Sequence, residues 1–175
     1  MRGMFAALAL APLAAAALGG CATAQDPRYA RQFALVGTSG QSLGTVSAWE
    51  TAGAVSMRVQ ARGLPHGLHG IHVHAVGRCQ PPEFTTAGSH WNPSARKHGL
   101  NNPEGPHAGD LPNISVAATG VVNEAVVLSG ASLAALADAD GSALVIHATA
   151  DDHVTDPSGN SGARVACAII SPATR

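Results

Sequence analysis

The sequence is poor in lysine, in aromatic side chains and in cysteine. Lys97 is the single lysine, the formal net charge is −1 and no run of basic residues occurs, so the chain lacks the basic surface that nucleic-acid binding needs. Aromatic residues make up 3% of the chain, so a core has to come mainly from Val, Leu, Ile and Ala. No long segment shows the apolar repeat of an amphipathic helix, which argues against a helical bundle.

The only long hydrophobic run lies at the N-terminus. Arg2 precedes an uncharged run, rich in Ala and Leu, from Met4 to Leu18. A basic start and a short apolar run are typical of a secretory signal, whereas a transmembrane anchor, the alternative, is usually longer. We therefore expect a signal peptide at residues 1–20, a flexible tether at 21–30 and one domain at 31–175, in an exported, periplasmic protein.

The three cysteines fit an exported protein. Leu18-Gly19-Gly20-Cys21 resembles the lipobox of bacterial lipoproteins, in which the cysteine is acylated and tethers the protein to a membrane. The alternative is ordinary cleavage after Ala22-Thr23-Ala24, a small-x-small pattern. With Cys21 modified or removed, Cys79 and Cys167 remain in an oxidising compartment. A disulfide between them would close a loop of about 90 residues, and two free buried thiols are the alternative.

The rest of the chain consists of short apolar segments rich in Val, Ile and Ala, separated by Gly, Pro and Asn. This pattern predicts an all-β fold, an eight-stranded antiparallel Greek-key β-barrel or sandwich. Two long segments, 76–112 and 150–163, interrupt it, and long irregular segments in a compact domain are usually functional. The strands are expected at Phe33–Thr38, Leu43–Glu50, Ala54–Ala61, Leu68–Ala75, Ile114–Ala118, Val121–Leu128, Ala143–Thr149 and Arg164–Ile170.

All nine histidines fall between residues 66 and 153. His72 and His74 are two positions apart on an expected strand, so both imidazoles project from one face, about 7 Å apart. His147 lies opposite the apolar face of another strand. Three imidazoles without a thiolate suit Cu(II), with zinc or nickel as alternatives. Of the other histidines, His69 is expected to be a structural residue on an apolar strand face, and we expect the remaining pair at the surface: His66 and His153.

A second group lies in the segment after Ser89. His90, His98, His107 and Asp110 form the pattern H-x7-H-x8-H-x2-D. Three imidazoles and one carboxylate are a complete ligand set for a tetrahedral zinc ion. The intervening residues are rich in Pro, Gly and Asn, which favour turns. A bound metal would give this loop a reason to be ordered.

These motifs together resemble the copper/zinc superoxide dismutases. The resemblance rests on Gly70-Ile71-His72-Val73-His74, on the zinc-loop spacing and on the segment from Gly159 to Cys167, and it runs from about Phe33 to Pro172. The long spacing between Cys79 and His90 and the short spacing between His147 and Arg164 look like the bacterial branch. The resemblance implies dismutation of superoxide to O₂ and hydrogen peroxide, with one copper, alternately reduced and oxidised, and one zinc per subunit.

The resemblance also implies a role for each residue of the site. His90 would bridge the two metals and carry a proton. Arg164 would attract the anionic substrate, with Arg78 or Lys97 as further basic residues. Asp151 would connect a copper histidine to a zinc histidine, and the two cysteines would form the family's disulfide. The implied ligands are His72, His74, His90 and His147 for copper, and His90, His98, His107 and Asp110 for zinc.

Two other classes of protein remain in view at this stage. One is a non-catalytic periplasmic copper- and zinc-binding module, and the other is a structural β-sandwich with a single zinc. The sequence carries no signature that decides between a monomer and a dimer.

Overall fold

The computed structural model describes residues 31–51 and 53–174. The expected signal peptide, the tether and Cys21 lie outside these residues. No helix in the described part of the chain has the length and hydropathy that a membrane span requires. Two single-turn 3-10 helices lie at Thr85–Ala87 and Ala135–Ala137. The strands are β1 (Arg31–Gly37), β2 (Ser42–Thr51), β3 (Ala54–Arg62), β4 (Gly67–His69), β5 (Ile71–His74), β6 (Ile114–Val116), β7 (Val121–Ser129), β8 (Ser142–His147) and β9 (Arg164–Ser171).

Every strand pair is antiparallel. Seven strands form one sheet in the order β5-β8-β9-β1-β2-β3-β7, and β4 pairs with β6 in a second sheet. Three neighbouring pairs, β5–β8, β9–β1 and β3–β7, are distant in sequence and therefore need crossover connections. The expected all-β antiparallel class is confirmed.

The described residues form nine strands, one more than the sequence predicted, because the expected strand Leu68–Ala75 divides at Gly70. The half before Gly70 pairs with β6 and the half after it pairs with β8. A Cβ atom at Gly70 would lie 2.8 Å from Cβ of Ser161 and 3.2 Å from Cβ of Asp151. The chain therefore passes too close to the 150–163 segment at this point to carry a side chain.

The core is built from aliphatic side chains, as the shortage of aromatic residues required. Val46 and Val59 face each other across β2 and β3, and Ile71 and Ile146 do so across β5 and β8; all four are fully buried. Burying one such side chain contributes about 1.5–3 kcal/mol. The core thus fixes the two strands, β5 and β8, that carry three of the candidate copper ligands.

The 90–110 loop is attached at both ends to the free edge of β5. His90 pairs with His74, and Asp110 pairs with His72, as isolated antiparallel bridges. The N–H of Val73 donates to the carbonyl of Gly109 at 2.8 Å, and its own carbonyl accepts from the N–H of Trp91 at 2.8 Å. The loop therefore begins and ends beside the histidines of β5, although most of its length is irregular.

A disulfide joins Cys79 to Cys167, with Cα atoms 5.7 Å apart and 88 positions apart in sequence. Cys167 is fully buried in β9, where it lies opposite Val36 of β1 and Val145 of β8. The disulfide therefore fastens the 76–90 segment to the middle of the large sheet. The pairing expected from the cysteine count is present in the structure.

Candidate metal centre

The structure brings four buried imidazoles together at the edge of the sheet. His72 and His74 come from β5, His147 from β8 and His90 from the start of the loop. The ring centroids of His72 and His90 are 4.0 Å apart, and those of His72 and His147 are 4.8 Å apart. One nitrogen from each of the four rings lies within 4.8 Å of the others. These four residues are the copper set expected from the sequence.

The nitrogens that face one another in this cluster have no hydrogen-bond partner among the described residues. They are Nδ1 of His72 and Nε2 of His74, His90 and His147, and all four are buried. A buried polar atom without a partner is costly. Four such nitrogens converging on one point are the donor set of a metal site, and an all-imidazole set suits Cu(II). The residues present therefore fit a copper ion.

The other nitrogen of each ring is fixed by an oxygen acceptor. Nδ1 of His74 donates to the carbonyl of Gly88 at 2.9 Å, and Nδ1 of His147 donates to the carbonyl of Gly162 at 3.2 Å. Such bonds select the tautomer and the ring orientation of a metal-binding histidine. In both rings they leave Nε2 unprotonated and directed at the cluster.

The second group also converges, around the carboxylate of Asp110. Its Oδ1 lies 2.9 Å from Nδ1 of His90, 3.1 Å from Nδ1 of His98 and 3.4 Å from Nδ1 of His107. The nitrogens of His90 and His107 are 3.3 Å apart. Donor atoms at tetrahedral corners around zinc, with bonds of about 2.0 Å, would be about 3.3 Å apart. The four residues therefore fit the zinc ion expected from the sequence.

A competing grouping replaces His107 with His72, since donor atoms of His72, His90, His98 and Asp110 also lie within 4.8 Å of one another. However, Nε2 of His72 is engaged by Asp151 at 2.6 Å, and its Nδ1 belongs to the copper cluster. We therefore assign His107 to the zinc set.

His90 belongs to both clusters through different atoms. Its Nδ1 lies 2.9 Å from Oδ1 of Asp110, on the zinc side. Its Nε2 is the unpartnered nitrogen on the copper side. The ring therefore lies between the two candidate sites, as a bridging ligand requires.

Asp151 connects the two clusters from the other side. One carboxylate oxygen, Oδ2, accepts from Nε2 of His72 at 2.6 Å, and the other, Oδ1, lies 3.1 Å from Nε2 of His98. Oδ1 also accepts the N–H of His153 at 2.7 Å. Asp151 thus lies between His72, which the resemblance implies binds copper, and His98, which it implies binds zinc.

Burial lowers the pKa of some of these histidines, whereas hydrogen bonds to the two carboxylates raise the pKa of another. Burial lowers the pKa of His72 to about 4 and that of His147 to about 3, so both rings are neutral and able to bind a metal at pH 7. Burial also disfavours a charge on His98, but its hydrogen bonds to Asp110 and Asp151 outweigh this and raise its pKa to about 9. Hydrogen bonds from His90 and His98 to Asp110, and from His72 and His98 to Asp151, outweigh the desolvation of the carboxylates and hold the pKa of each aspartate well below its usual range.

Arg164 lies beside the copper cluster at the first position of β9, opposite His147. Its guanidinium donates to the carbonyls of Phe84 and Gly88, each at 2.7 Å. It lines a cavity of about 380 Å³ together with Thr38, Pro82 and Glu83. A half-buried, fixed guanidinium at the edge of a cavity can bind a small anion.

The remaining histidines differ from one another. His69 is structural, as expected: its ring nitrogens lie 2.7 Å from the carbonyl of His147 and 2.9 Å from that of Pro65. His66 is exposed. His153, expected at the surface, has a side chain only 20% exposed and lies 3.1 Å from Asn113, because the 150–163 segment folds back over the 90–113 region.

Sequence reasoning missed two residues that join the long segments. Asp156 accepts the N–H of His98 at 2.7 Å, and Asn113 bonds both backbone groups of Asp151. Neither residue stands in a metal-ligand pattern. The only signal for Asn113 was its place three residues after Asp110.

Comparison with known proteins agrees with this geometry. Residues 42–170 match the family model described as copper/zinc superoxide dismutase. The chain is 43% identical over 142 residues to superoxide dismutase [Cu-Zn] 2 of Aquifex aeolicus, covering 78% of this chain and 83% of that protein.

Two solved structures share the fold. A SOD-like protein from Bacillus subtilis superposes with a TM-score of 0.76 at 39% identity, over 79% of this chain and 97% of that one. The Cu/Zn superoxide dismutase from Brucella abortus superposes with a TM-score of 0.70 at 33% identity, over 81% and 99%. Because residues 42–170 match the family model and the Aquifex aeolicus relative is 43% identical over most of both chains, the chain belongs to the copper/zinc superoxide dismutase family.

Proposed function

We propose that this chain dismutates superoxide with one copper held by His72, His74, His90 and His147 and one zinc held by His90, His98, His107 and Asp110. The observation that carries the proposal is the set of four buried imidazole nitrogens without a partner among the described residues, beside three imidazoles that surround one carboxylate oxygen.

The metals supply what the side chains cannot. Bound copper provides one-electron chemistry, by which one superoxide is oxidised to O₂ and a second, with two protons, is reduced to hydrogen peroxide, while zinc provides charge and orientation. The chain's own contribution is to hold the donors, attract the anion and manage a proton.

Arg164 binds and orients the substrate. Two of its N–H groups are committed to the carbonyls of Phe84 and Gly88, which fixes the plane of the guanidinium. Burial lowers its pKa from the ordinary value, but an arginine stays protonated at neutral pH. Its positive charge at the cavity edge attracts superoxide, and its remaining N–H groups can donate to it.

His90 is the ring that can manage a proton at the edge of the copper cluster. Its Nδ1 stays beside Asp110, while its buried Nε2 has no other partner among the described residues. That nitrogen would be a copper ligand, and it is also the atom of His90 that could hold a proton and give it to the reduced substrate.

Metal quantification combined with a superoxide-consumption assay tests this function. We expect one copper and one zinc per chain and rapid dismutation by the protein loaded with both metals. Removing copper should abolish the activity and readding it should restore it, with zinc-only protein as the control. A fully metallated protein without activity would favour the non-catalytic copper- and zinc-binding module, and one zinc with no copper after loading would favour a structural sandwich.

We further propose that the protein is exported to the periplasm. The proposal is supported by Arg2 and the apolar run that follows it, and by the disulfide between Cys79 and Cys167, which persists in an oxidising compartment. Mass spectrometry of the mature N-terminus distinguishes acylation at Cys21 from ordinary cleavage after Ala24. An acylated Cys21 would establish a membrane-tethered lipoprotein, Gln25 as first residue would establish ordinary cleavage, and an intact Met1 would contradict export.

A further inference from the structure

Asp151 needs outside support, because it lies in an irregular segment and not in a strand. Both of its carboxylate oxygens face histidines: Oδ2 lies 2.6 Å from Nε2 of His72 and Oδ1 lies 3.1 Å from Nε2 of His98. Neither contact can form unless the backbone of Asp151 is held in place. The segment from residue 148 to residue 163 supplies no strand or helix to hold it.

The backbone N–H and carbonyl of Asp151 are both bonded by one amide side chain, that of Asn113, 38 positions away in the sequence. Oδ1 of Asn113 accepts the N–H of Asp151 at 2.8 Å, and Nδ2 of Asn113 donates to the carbonyl of Asp151 at 2.9 Å. Both backbone groups of Asp151 are thus satisfied by one residue. Two bonds from one planar amide fix the two peptide groups that flank the Cα atom of Asp151, as a neighbouring strand would.

A third contact fixes which way the Asn113 amide points. Nδ2 of Asn113 also lies 3.1 Å from Nε2 of His153. The carbonyl of Asp151 accepts one hydrogen of the amide nitrogen, and Nε2 of His153 accepts the other in the tautomer that carries its proton on Nδ1. The reversed amide would place an oxygen against the same two acceptors.

The opposite side of Asp151 is closed by Gly70, two residues before His72. A Cβ atom at Gly70 would lie 3.2 Å from Cβ of Asp151. Asp151 is therefore held between Gly70, on the chain that leads to His72, and Asn113, three residues after the zinc ligand Asp110. Moving Asn113 would shift the carboxylate relative to both histidines at once.

We propose that Asn113 is a positioning residue of the metal pair, which holds Asp151 so that its carboxylate orients His72 and His98 together. The inference rests on the metal roles proposed above. Asn113 acts through Asp151 and contacts neither ligand set by its side chain in the hydrogen bonds that the structure shows.

The test is the rate of zinc release from the copper- and zinc-loaded protein to an excess of a chromophoric chelator. Asp151→Asn should speed release about 10-fold or more, as loss of an outer hydrogen-bond partner does. Asn113→Ala should speed it about 3- to 10-fold. In the double variant the rate should not exceed that of Asp151→Asn alone by more than about 2-fold, because the two changes break the same connection.

Asn92, in the 90–110 loop, offers a matched control. Its amide also makes two bonds to the backbone of one residue, Arg96, but both stay within the loop. Asn92→Ala should leave zinc release within about 2-fold of the parent. If Asn113→Ala behaves like Asn92→Ala, or if its effect multiplies with that of Asp151→Asn, the proposal is overturned.

Two further measurements separate positioning from a loss of folding. The electron paramagnetic resonance spectrum of bound Cu(II) should change in Asn113→Ala, because His72 reorients; an unchanged spectrum contradicts the proposal. Asn113→Asp keeps the acceptor for the N–H of Asp151 but cannot donate to its carbonyl, and it should show the same direction of change. If Asp151→Asn itself leaves zinc release unchanged, the role of Asp151 in the proposed metal pair fails as well.

Discussion

Arg164 and His74 share one acceptor, the carbonyl oxygen of Gly88. Nη2 of Arg164 donates to it at 2.7 Å and Nδ1 of His74 donates to it at 2.9 Å. A single peptide therefore sets both the place of the anion-binding guanidinium and the orientation of a copper histidine. That peptide lies in the 76–90 segment, which the disulfide at Cys79 fastens to the sheet.

Arg164→Ile should lower kcat/KM for superoxide about 10-fold, because a fixed positive charge beside the site is lost. The remaining rate should depend less on ionic strength, which pulse-radiolysis or stopped-flow measurements at several salt concentrations would show. Arg164→Lys, the control, keeps the charge but not the two fixed bonds, so its kcat/KM should lie between those of the parent and of Arg164→Ile. Unchanged kinetics in the isoleucine variant would remove Arg164 from the site.

Replacing Cys79 and Cys167 together with serine should lower the free energy of unfolding of the metal-free protein by about 4 kcal/mol, because the disulfide closes a long loop. Urea unfolding, with the oxidised parent as reference, measures the change. A reductant should reproduce the loss in the parent and do nothing to the double variant. Equal stabilities of parent and variant would contradict this expectation.

The metal-free protein should be most stable near pH 6.5. The folded-state pKa values of His72 and His147, about 4 and about 3, lie below their ordinary value of 6.5, so the unfolded chain takes up protons first and stability falls as the pH drops below 6.5. The raised pKa of His98, about 9, has the opposite sign: its contribution is present below pH 6.5 and is lost as the pH rises through 9.

Urea midpoints of the metal-free protein between pH 5 and pH 9 measure both the loss of stability below pH 6.5 and the loss above it. Bound zinc should abolish the loss of stability above pH 6.5, because a zinc-bound His98 is no longer stabilised by protonation. A midpoint that rises steadily from pH 5 to pH 9 in the metal-free protein would contradict the assigned shifts.

Asp156→Ala should weaken zinc binding about 10-fold. Oδ1 of Asp156 accepts the N–H of His98 at 2.7 Å and lies 3.8 Å from Nε2 of His107, so it supports two zinc ligands from the opposite segment. Competition with a chelator of known affinity measures the change. The matched control is Asp152→Ala, whose side-chain bonds stay within its own segment. Equal effects of the two variants would point to general loosening of that segment.

Much of the site was predictable because its geometry is local. The alternation of a strand places His72 and His74 on one face, and the short spacing of His107 and Asp110 brings both to one end of a loop. The antiparallel all-β class likewise followed from short apolar segments separated by Gly, Pro and Asn. These predictions needed only the geometry of a few neighbouring residues.

What could not be predicted depends on distant segments meeting. The strand expected across residues 68–75 divides at Gly70 because another segment packs against it there, and nothing in the local pattern carries that information. The contacts of Asn113 and Asp156 join positions 38 to 58 residues apart. The burial of His153 has the same origin.

Apart from His90, which belongs to both, the two ligand sets lie in different parts of the fold, and this separates the lifetimes of the two metals. Three copper donors lie on β5 and β8, whose hydrogen bonds open only when the sheet itself opens. His98 and His107 lie on an irregular loop, fixed mainly by its ends and by a few side chains. Transient opening of the part of the loop that carries His98 and His107 would release zinc while the sheet and its three copper donors stay folded. The exchange of zinc and the exchange of copper are therefore two events, governed by two different local free energies.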